Sequence, residues 1–376
     1  METRTSKKTG EKISLLGFGC MRLPLTSENT QDIDTKLADE MVDLAMANGV
    51  NYFDTAYVYH GKESESFIGN ALARYPREKF NLATKLTTKA LVTDDDVDRI
   101  FNEQLAKCKV EYFDYYLIHN VSRPRLDAVQ KFRLIERLHE KKRQGLIRNL
   151  GFSYHDNTSF LPEFVGMYDW DFAQIQLNYL DWETQDAAGL YTILTDAGIP
   201  VIVMEPVRGG ALATLSESAI RILKDANPAV SPASWAMRFA ASLPNVLTVL
   251  SGMSTMEQVQ DNIATMRSFT PLSEAEHETI AKALVAYRQS GAIPCTACGY
   301  CMDCPSGVDI PRSFAAYNTY RATRNDMTFQ LHLAVLGEAR QPKHCTSCGL
   351  CLPQCPQQLD IPGLMQEITK AAESLA

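Results

Sequence analysis

A chain of 376 residues has room for one large domain and a small one. Its 45% hydrophobic and 22% charged residues suit a globular protein, and a net charge of −8 speaks against a broad nucleic-acid-binding surface. No apolar run approaches the ~20 residues that span a bilayer, and the opening METRTSKKTGEKIS lacks the apolar stretch of a signal peptide, so a cytoplasmic protein without nucleic-acid or membrane partners is expected.

In chain order, short apolar runs rich in β-branched and aromatic residues read as strands: ISLLGFG (13–19), VNYFDT (50–55), FNLATKL (80–86), YFDYYLIH (112–119), IRNLGFS (147–153), FAQIQLN (172–178), PVIVMEP (200–206) and NVLTVLSG (245–252). Helix-like stretches lie between them at 37–49, 97–109, 128–145, 184–198 and 232–243, several ending in Gly or a basic turn. Eight strands alternating with helices predict a parallel sheet, and eight is the number that closes a (β/α)8 TIM barrel. A doubly wound open sheet is the runner-up, weakened because no G-x-G-x-x-G follows the first strand. Residues 271–294 read as a closing helix, with S-E-A-E as a capping box. The fold class is therefore α/β, with a barrel over 1–290 and a small helical ferredoxin-like domain over 291–376.

The boundary is set by cysteine. Only Cys20 and Cys108 precede residue 295; the other eight lie between Cys295 and Cys355. A secreted disulfide framework would not leave most of a chain nearly free of cysteine, so metal ligation in a reducing compartment fits better. The first cluster is CTACGYCMDCP, with Cys295, Cys298, Cys301 and Cys304. The second is CTSCGLCLPQCP, with Cys345, Cys348, Cys351 and Cys355. The second follows the bacterial ferredoxin spacing C-x2-C-x2-C-x3-C-P, and the first is one residue shorter. Two-residue gaps let three thiolates converge on one 4Fe–4S cubane, and the fourth, beyond reach of that loop, serves the other cluster. The expected ligand sets are thus Cys295, Cys298, Cys301 and Cys355 for one cluster, and Cys345, Cys348, Cys351 and Cys304 for the other. Zinc, which takes paired CxxC units, and disulfides are the weaker alternatives. Each motif is followed by a similar phrase, VDIP at 308–311 and LDIP at 359–362, an internal duplication. The linking stretch, with RSFAAYNTYRATRND and FQLHLAVLGEAR, reads as helical, closer to an α-helical ferredoxin than to a βαβ one.

Three candidate catalytic groups stand at predicted strand ends, where barrel active sites lie: Asp54, Lys85 and His119, with Tyr59 in the loop after Asp54. A Lys ammonium near Tyr59 is expected to lower its pKa from ~10, and Asp54 to hold the Lys charged. A neutral His119 can polarise a carbonyl oxygen. Taken singly, these residues read as a helix cap, a strand-end charge, a core histidine and a wall aromatic; their arrangement at successive strand ends favours the catalytic reading.

The phrases GFGCMRLP, NYFDTAYVY with GKESESFIGNAL, NLATKL, DYYLIHN, IRNLGFS and QIQLNY resemble the aldo-keto reductase family over residues 13–265. With the cysteine motifs, the whole chain resembles that family's ferredoxin-containing branch, found in anaerobes. The resemblance implies a (β/α)8 barrel, carbonyl reduction or its reverse, and a catalytic tetrad of Asp54, Tyr59, Lys85 and His119. It also implies a nicotinamide cofactor, NAD(H) or NADP(H), with Ser153 and Gln176 at the carboxamide, and with Gly19 and Met21 at the end of the first strand among the cofactor-binding residues. Pro206, Arg208, Gly209 and Gly210 are implied at the pyrophosphate and Asn262 near the adenine. Four positions depart from the family. Tyr154 stands for the usual Asn and Met204 for the aromatic that stacks on the nicotinamide, while Gly252 and Gln258 stand where a Lys and an Arg grip the 2′-phosphate of NADP. Preference for NADP is therefore in doubt.

Three functions compete. The first is a nicotinamide-dependent oxidoreductase acting on a small-molecule carbonyl or alcohol, its clusters docking a redox partner protein or stabilising the fold. The second is an electron-transfer reductase whose clusters deliver single electrons to a flavin or to the substrate. A non-enzymatic ferredoxin or binding subunit is disfavoured by the intact tetrad. No specificity motif identifies the substrate.

Overall fold

The computed structural model describes residues 1–375. The chain divides into two compact units: Met1–Pro206 with Ser234–Leu272, and Val207–Ala233 with Ser273–Ala376. The expected boundary at 290/291 thus falls inside the second unit, which also takes a segment from the middle of the chain. No helix among the described residues is long and apolar enough to cross a membrane.

The first unit opens with an antiparallel pair, β1 (Thr3–Thr5) and β2 (Lys12–Ser14). Eight parallel strands then close a barrel: β3 (Leu16–Gly19), β4 (Tyr52–Asp54), β5 (Asn81–Thr87), β6 (Phe113–Val121), β7 (Ile147–Tyr154), β8 (Phe172–Gln176), β9 (Val201–Met204) and β10 (Val246–Gly252). Neighbours follow sequence order, and β10 pairs with both β9 and β3. The open-sheet alternative is excluded. The run at 13–19 holds two short strands: its first part pairs with the N-terminal strand, and only Leu16–Gly19 joins the barrel. The helical run at 128–145 is likewise two helices, Leu126–Lys131 and Leu134–Arg143, broken where Arg133 takes a left-handed φ of 48°.

Barrel strands need apolar residues on both faces, because the inward side chains fill the lumen and the outward ones meet helices. Ile13, Tyr52, Ala83, Tyr115, Phe172, Ile202 and Leu247 form one buried layer. In it Tyr115 meets Tyr52 and Phe172 edge-on, each at 5.0 Å between ring centres. Close approach on the outside depends on Gly69 in the helix Ser64–Leu72, where a Cβ would lie 2.3 Å from the carbonyl oxygen of Lys107 in the helix Asp96–Cys108.

In the second unit the helix Glu274–Gln289 packs on Glu217–Ala226, and its start carries the expected capping box between Ser273 and Glu276. The helices Ile310–Thr323, Asp326–Val335 and Ile361–Glu373 close a small core of Val308, Ile310, Phe314, Phe329, Leu333, Ile361, Met365 and Ile368. Six of the eight motif cysteines pack against that core. A core this small gains from metal staples.

Candidate functional site

The parallel register carries Asp54, Lys85 and His119 to one end of the barrel. Asp54 ends β4, Lys85 lies two residues from the end of β5, and His119 pairs with Thr87 across β5 and β6. All three are buried, as is Tyr59 in the loop after β4. Lys85 Nζ uses its three donors on Asp54 Oδ1 at 2.5 Å, the Thr55 carbonyl at 2.8 Å and the Tyr59 hydroxyl at 3.2 Å. The Tyr59 and His119 rings meet edge-on at 5.9 Å. The four expected catalytic side chains are therefore gathered in one cluster.

Burial governs the protonation of this cluster. It pushes the Tyr59 hydroxyl well above its ordinary value, and the charge on Asp54 pushes the same way. The lowering expected from Lys85 does not prevail, because desolvation disfavours the tyrosinate form. Tyr59 consequently keeps its proton at neutral pH, as a proton donor must. Burial and then the Lys85 charge hold His119 well below the usual imidazole range, so it is neutral. The Asp54 carboxyl is raised by burial, with Lys85 opposing. Behind β5, Gln104 Nε2 donates to the Lys85 carbonyl at 3.1 Å and to buried Glu65 at 2.6 Å, fixing the strand that carries the lysine.

Other groups of this site gave no clear signal in the sequence. Burial, then Arg125 and Lys85, push His155 down to about 4. Arg22 pairs with Glu205 at 3.2 Å, and Glu205 takes a left-handed φ of 55° immediately after β9. Asp181 accepts from Gln176 at 2.7 Å and from Asn178 at 2.6 Å. The one available hint was the polar run after β8, since a buried Gln-Leu-Asn segment needs partners.

Among the expected cofactor residues, Ser153 Oγ accepts the Asn120 N–H at 2.8 Å, and Asp181 holds Gln176. These are buried polar ends suited to a carboxamide. Met204 ends β9, with its sulfur 3.6 Å from Gln174 Nε2. Gly19 ends β3, where a Cβ would lie 3.2 Å from the Ser251 carbonyl oxygen, and Met21 follows in the next turn. Asn262 donates to Ser251 Oγ at 2.9 Å, and Gln258 Oε1 accepts the Ser254 N–H at 2.7 Å. A Cβ at Gly252 would meet the Arg22 side chain at 3.1 Å. Arg208, Gly209 and Gly210 belong to the second unit, where Arg208 is buried and bonded to Gln357.

The cysteine motifs fold alike. Ala297 and Ser347, two residues after each first cysteine, take left-handed φ of 51° and 56°. Gly299 and Gly349 follow at 78° and 76°. After the fourth cysteines, Gly307 and Gln358 are again left-handed. Asp309 and Asp360 then cap the helices that start with Ile-Pro. The repeated phrases are thus repeated structure, with backbone N–H groups turned towards the sulfurs: Ala297 N–H donates to Cys295 Sγ at 3.3 Å. Cys295, Cys298, Cys301 and Cys355 line one cavity. Cys304, Cys345, Cys348 and Cys351 line the other, which Cys301 also reaches. The first cavity thus draws three cysteines from one motif and a fourth from the other, and the second draws three from its own motif and two, Cys301 and Cys304, from the other; four thiols at each are a donor set whose chemistry fits an iron–sulfur cubane. Burial pushes Cys295 up to about 11 and Cys301 up to about 12.

Residues 15–285 match the aldo/keto reductase family, and residues 294–361 match a 4Fe-4S dicluster domain. L-galactose dehydrogenase of Arabidopsis thaliana is 25% identical over 75% of this chain and 93% of its own length. The NADH-specific methylglyoxal reductase of Escherichia coli is 23% identical over 68% of this chain and 90% of its own. Among solved structures, the holo form of an aldo-keto reductase from Bacillus halodurans superposes with a TM-score of 0.61 at 24% identity. It covers 75% of this chain and 96% of its own. An aldo-keto reductase from Klebsiella pneumoniae in complex with NADPH gives 0.60 at 18%, over 76% and 96%. The chain belongs to the aldo/keto reductase family, as an oxidoreductase whose (β/α)8 barrel is followed in sequence by a 4Fe-4S domain.

Proposed function

We propose that the chain is a cytoplasmic oxidoreductase of a small-molecule carbonyl or alcohol, working with a nicotinamide cofactor and carrying two 4Fe–4S clusters. The observation that carries this reading is the Lys85 ammonium held between Asp54 and the Tyr59 hydroxyl. In the direction of reduction, Tyr59 donates its proton to the substrate oxygen. Lys85 then stabilises the phenolate by charge and hydrogen bond, and Asp54 keeps Lys85 placed. Neutral His119 orients the carbonyl oxygen by hydrogen bonding. A bound nicotinamide supplies the hydride. Ser153 and Gln176 would hold its carboxamide, with Met204 against the ring as a softer surface than an aromatic. Gly19, Met21, Gln258 and Asn262 would line the rest of the dinucleotide. The NADH-specific relative supports a nicotinamide in this barrel.

The second reading, an electron-transfer reductase whose clusters, charged by a redox partner protein, deliver single electrons to a flavin or to the substrate, is favoured by the eight motif cysteines and by Gly252 and Gln258 at the 2′-phosphate positions. One experiment separates the two. Anaerobically prepared protein is assayed with NADH and NADPH against a panel of aldehydes and ketones, beside Tyr59→Phe and a flavin extraction. Nicotinamide-dependent turnover that falls at least a hundredfold in Tyr59→Phe supports the first reading, since a positioned acid contributes about 10²–10⁴-fold. Extracted flavin, with activity only from a one-electron donor, supports the second.

A further inference from the structure

The loop after β9 carries a buried cation that the proposed reaction does not use. Arg208 is 2% exposed, and its Nη2 donates to Gln357 Oε1 at 2.8 Å. Gln357 lines the same cavity as Cys295, Cys298, Cys301 and Cys355. The next residue, Gly209, has a φ of 64° and approaches Thr296 so closely that a Cβ would lie 2.2 Å from the Thr296 carbonyl oxygen. Thr296 sits between the first two cysteines of the first motif. The loop is therefore keyed to one motif twice, by a side chain and by backbone, all within the second unit. The duplication supplies a comparison. Gln357 corresponds to Ser306, and Thr296 to Thr346; these short hydroxyls, one from each motif, meet each other at 3.4 Å beside the second cavity. Gln357 instead reaches the Arg208 guanidinium, beside the cavity lined by Cys295, Cys298, Cys301 and Cys355.

We propose that Arg208 is a positioning and charge-setting residue for the cluster held by Cys295, Cys298, Cys301 and Cys355, not a clamp on a dinucleotide pyrophosphate. This rests on reading the cysteine motifs as iron–sulfur ligands. When an external reductant gives the cluster one electron, no bond is made or broken, and the cluster gains one negative charge. A fixed buried cation stabilises that reduced form and raises the potential. The pseudo-equivalent cluster, with Ser306 in place of Gln357, does not feel this charge in the same way.

The test is a dithionite titration of the full chain under anaerobic conditions, followed by electron paramagnetic resonance, with an iron count and an NADH titration on each protein. The variants are Arg208→Gln, Arg208→Lys and Gln357→Glu, with Cys304→Ala to identify the signal of the first-motif cluster. Arg208→Gln is expected to lower that cluster's reduction equilibrium constant about tenfold, which is about 59 mV for one electron. Gln357→Glu should lower the same potential by adding the opposing charge, and it reads the same balance if Arg208→Gln does not fold. Arg208→Lys should restore most of the shift. The other cluster's reduction equilibrium constant and the Kd for NADH should stay within twofold of the parent. Unchanged potentials in fully loaded variants overturn the proposal, and so does a tenfold loss of NADH affinity with potentials unmoved. A parent without iron instead sinks the cluster reading, a separate failure.

Discussion

Lys85→Met isolates what the buried ion pair contributes. The lysine and aspartate side chains are 1% and 5% exposed, so neither charge is repaid by water. Methionine keeps most of the aliphatic stem but removes the donor to Asp54, to the Thr55 carbonyl and to Tyr59. Stranding one charge of a buried pair costs about 3–5 kcal/mol. At about 2 °C per kcal/mol for a domain of this size, the barrel should melt roughly 6–10 °C lower at pH 7. The pH dependence carries the diagnosis. Without Lys85 to oppose burial, the folded-state pKa of Asp54 rises further above its unfolded value. A carboxyl of that kind binds more protons folded than unfolded, so stability falls as pH rises between the two values. The gap between variant and parent should therefore narrow as pH falls towards 5. Adding Asp54→Asn should recover much of the loss at pH 7, because no charge remains stranded. The assay is anaerobic thermal unfolding followed by circular dichroism at pH 5, 6 and 7, with cluster content matched. A melting point within 2 °C of the parent at pH 7, or a gap that widens in acid, would refute the argument.

Three further outcomes are expected. Gly69→Ala should destabilise the barrel by about 1–3 kcal/mol, since its Cβ meets backbone and not a side chain able to move; thermal unfolding at parental activity per folded molecule checks it. NADH should bind at least as tightly as NADPH, because Gly252 and Gln258 offer no cation to a 2′-phosphate, and Gln258→Arg should shift the ratio towards NADPH by about tenfold or more; parallel fluorescence titrations decide it. Arg22, whose side chain lies against Gly252, is already paired with Glu205, so Glu205→Gln should also favour NADPH in the same titrations.

Much of the barrel was legible because its signal is local. Strands buried on both faces read as continuous apolar runs, and all eight appeared where such runs occur. Tyr59, Asp54, Lys85 and His119 could be assembled because closing the barrel turns strand ends into neighbours. Contacts between remote residues were not legible. Nothing around Thr3 announced that it would pair with Ser14 and leave only four residues of the first run to the barrel. The break at Arg133 has no glycine or proline to mark it. Arg22–Glu205 joins residues 183 apart in sequence. The direction of the Tyr59 shift was hidden for another reason: spacing shows that a lysine is near, but only three dimensions show how completely water is excluded.

Repetition in sequence also concealed a difference that should be visible in oxygen. The motifs share turns and caps, yet their surroundings diverge. Burial pushes the thiols of Cys295 and Cys301 up to about 11 and about 12. In the second motif Cys348 is exposed, and so are Leu350 and Leu352 beside it. Oxidants reach a cubane through such gaps, and solvent exposure of the sulfurs also affects its potential. On the proposed ligand sets, the cluster at Cys304, Cys345, Cys348 and Cys351 should therefore be lost first. Brief exposure of the loaded protein to air should remove about half of an initial content of about eight irons per chain before the rest follows more slowly. Cys304→Ala tells which cluster goes. If it disables the second-motif site as the crossed arrangement requires, the variant should start with about half the iron and lack the fast phase. A variant that loses its remaining iron at the parent's fast rate would mean that the surviving cluster is the exposed one. The crossed assignment would then be wrong, because Cys304 would serve its own motif.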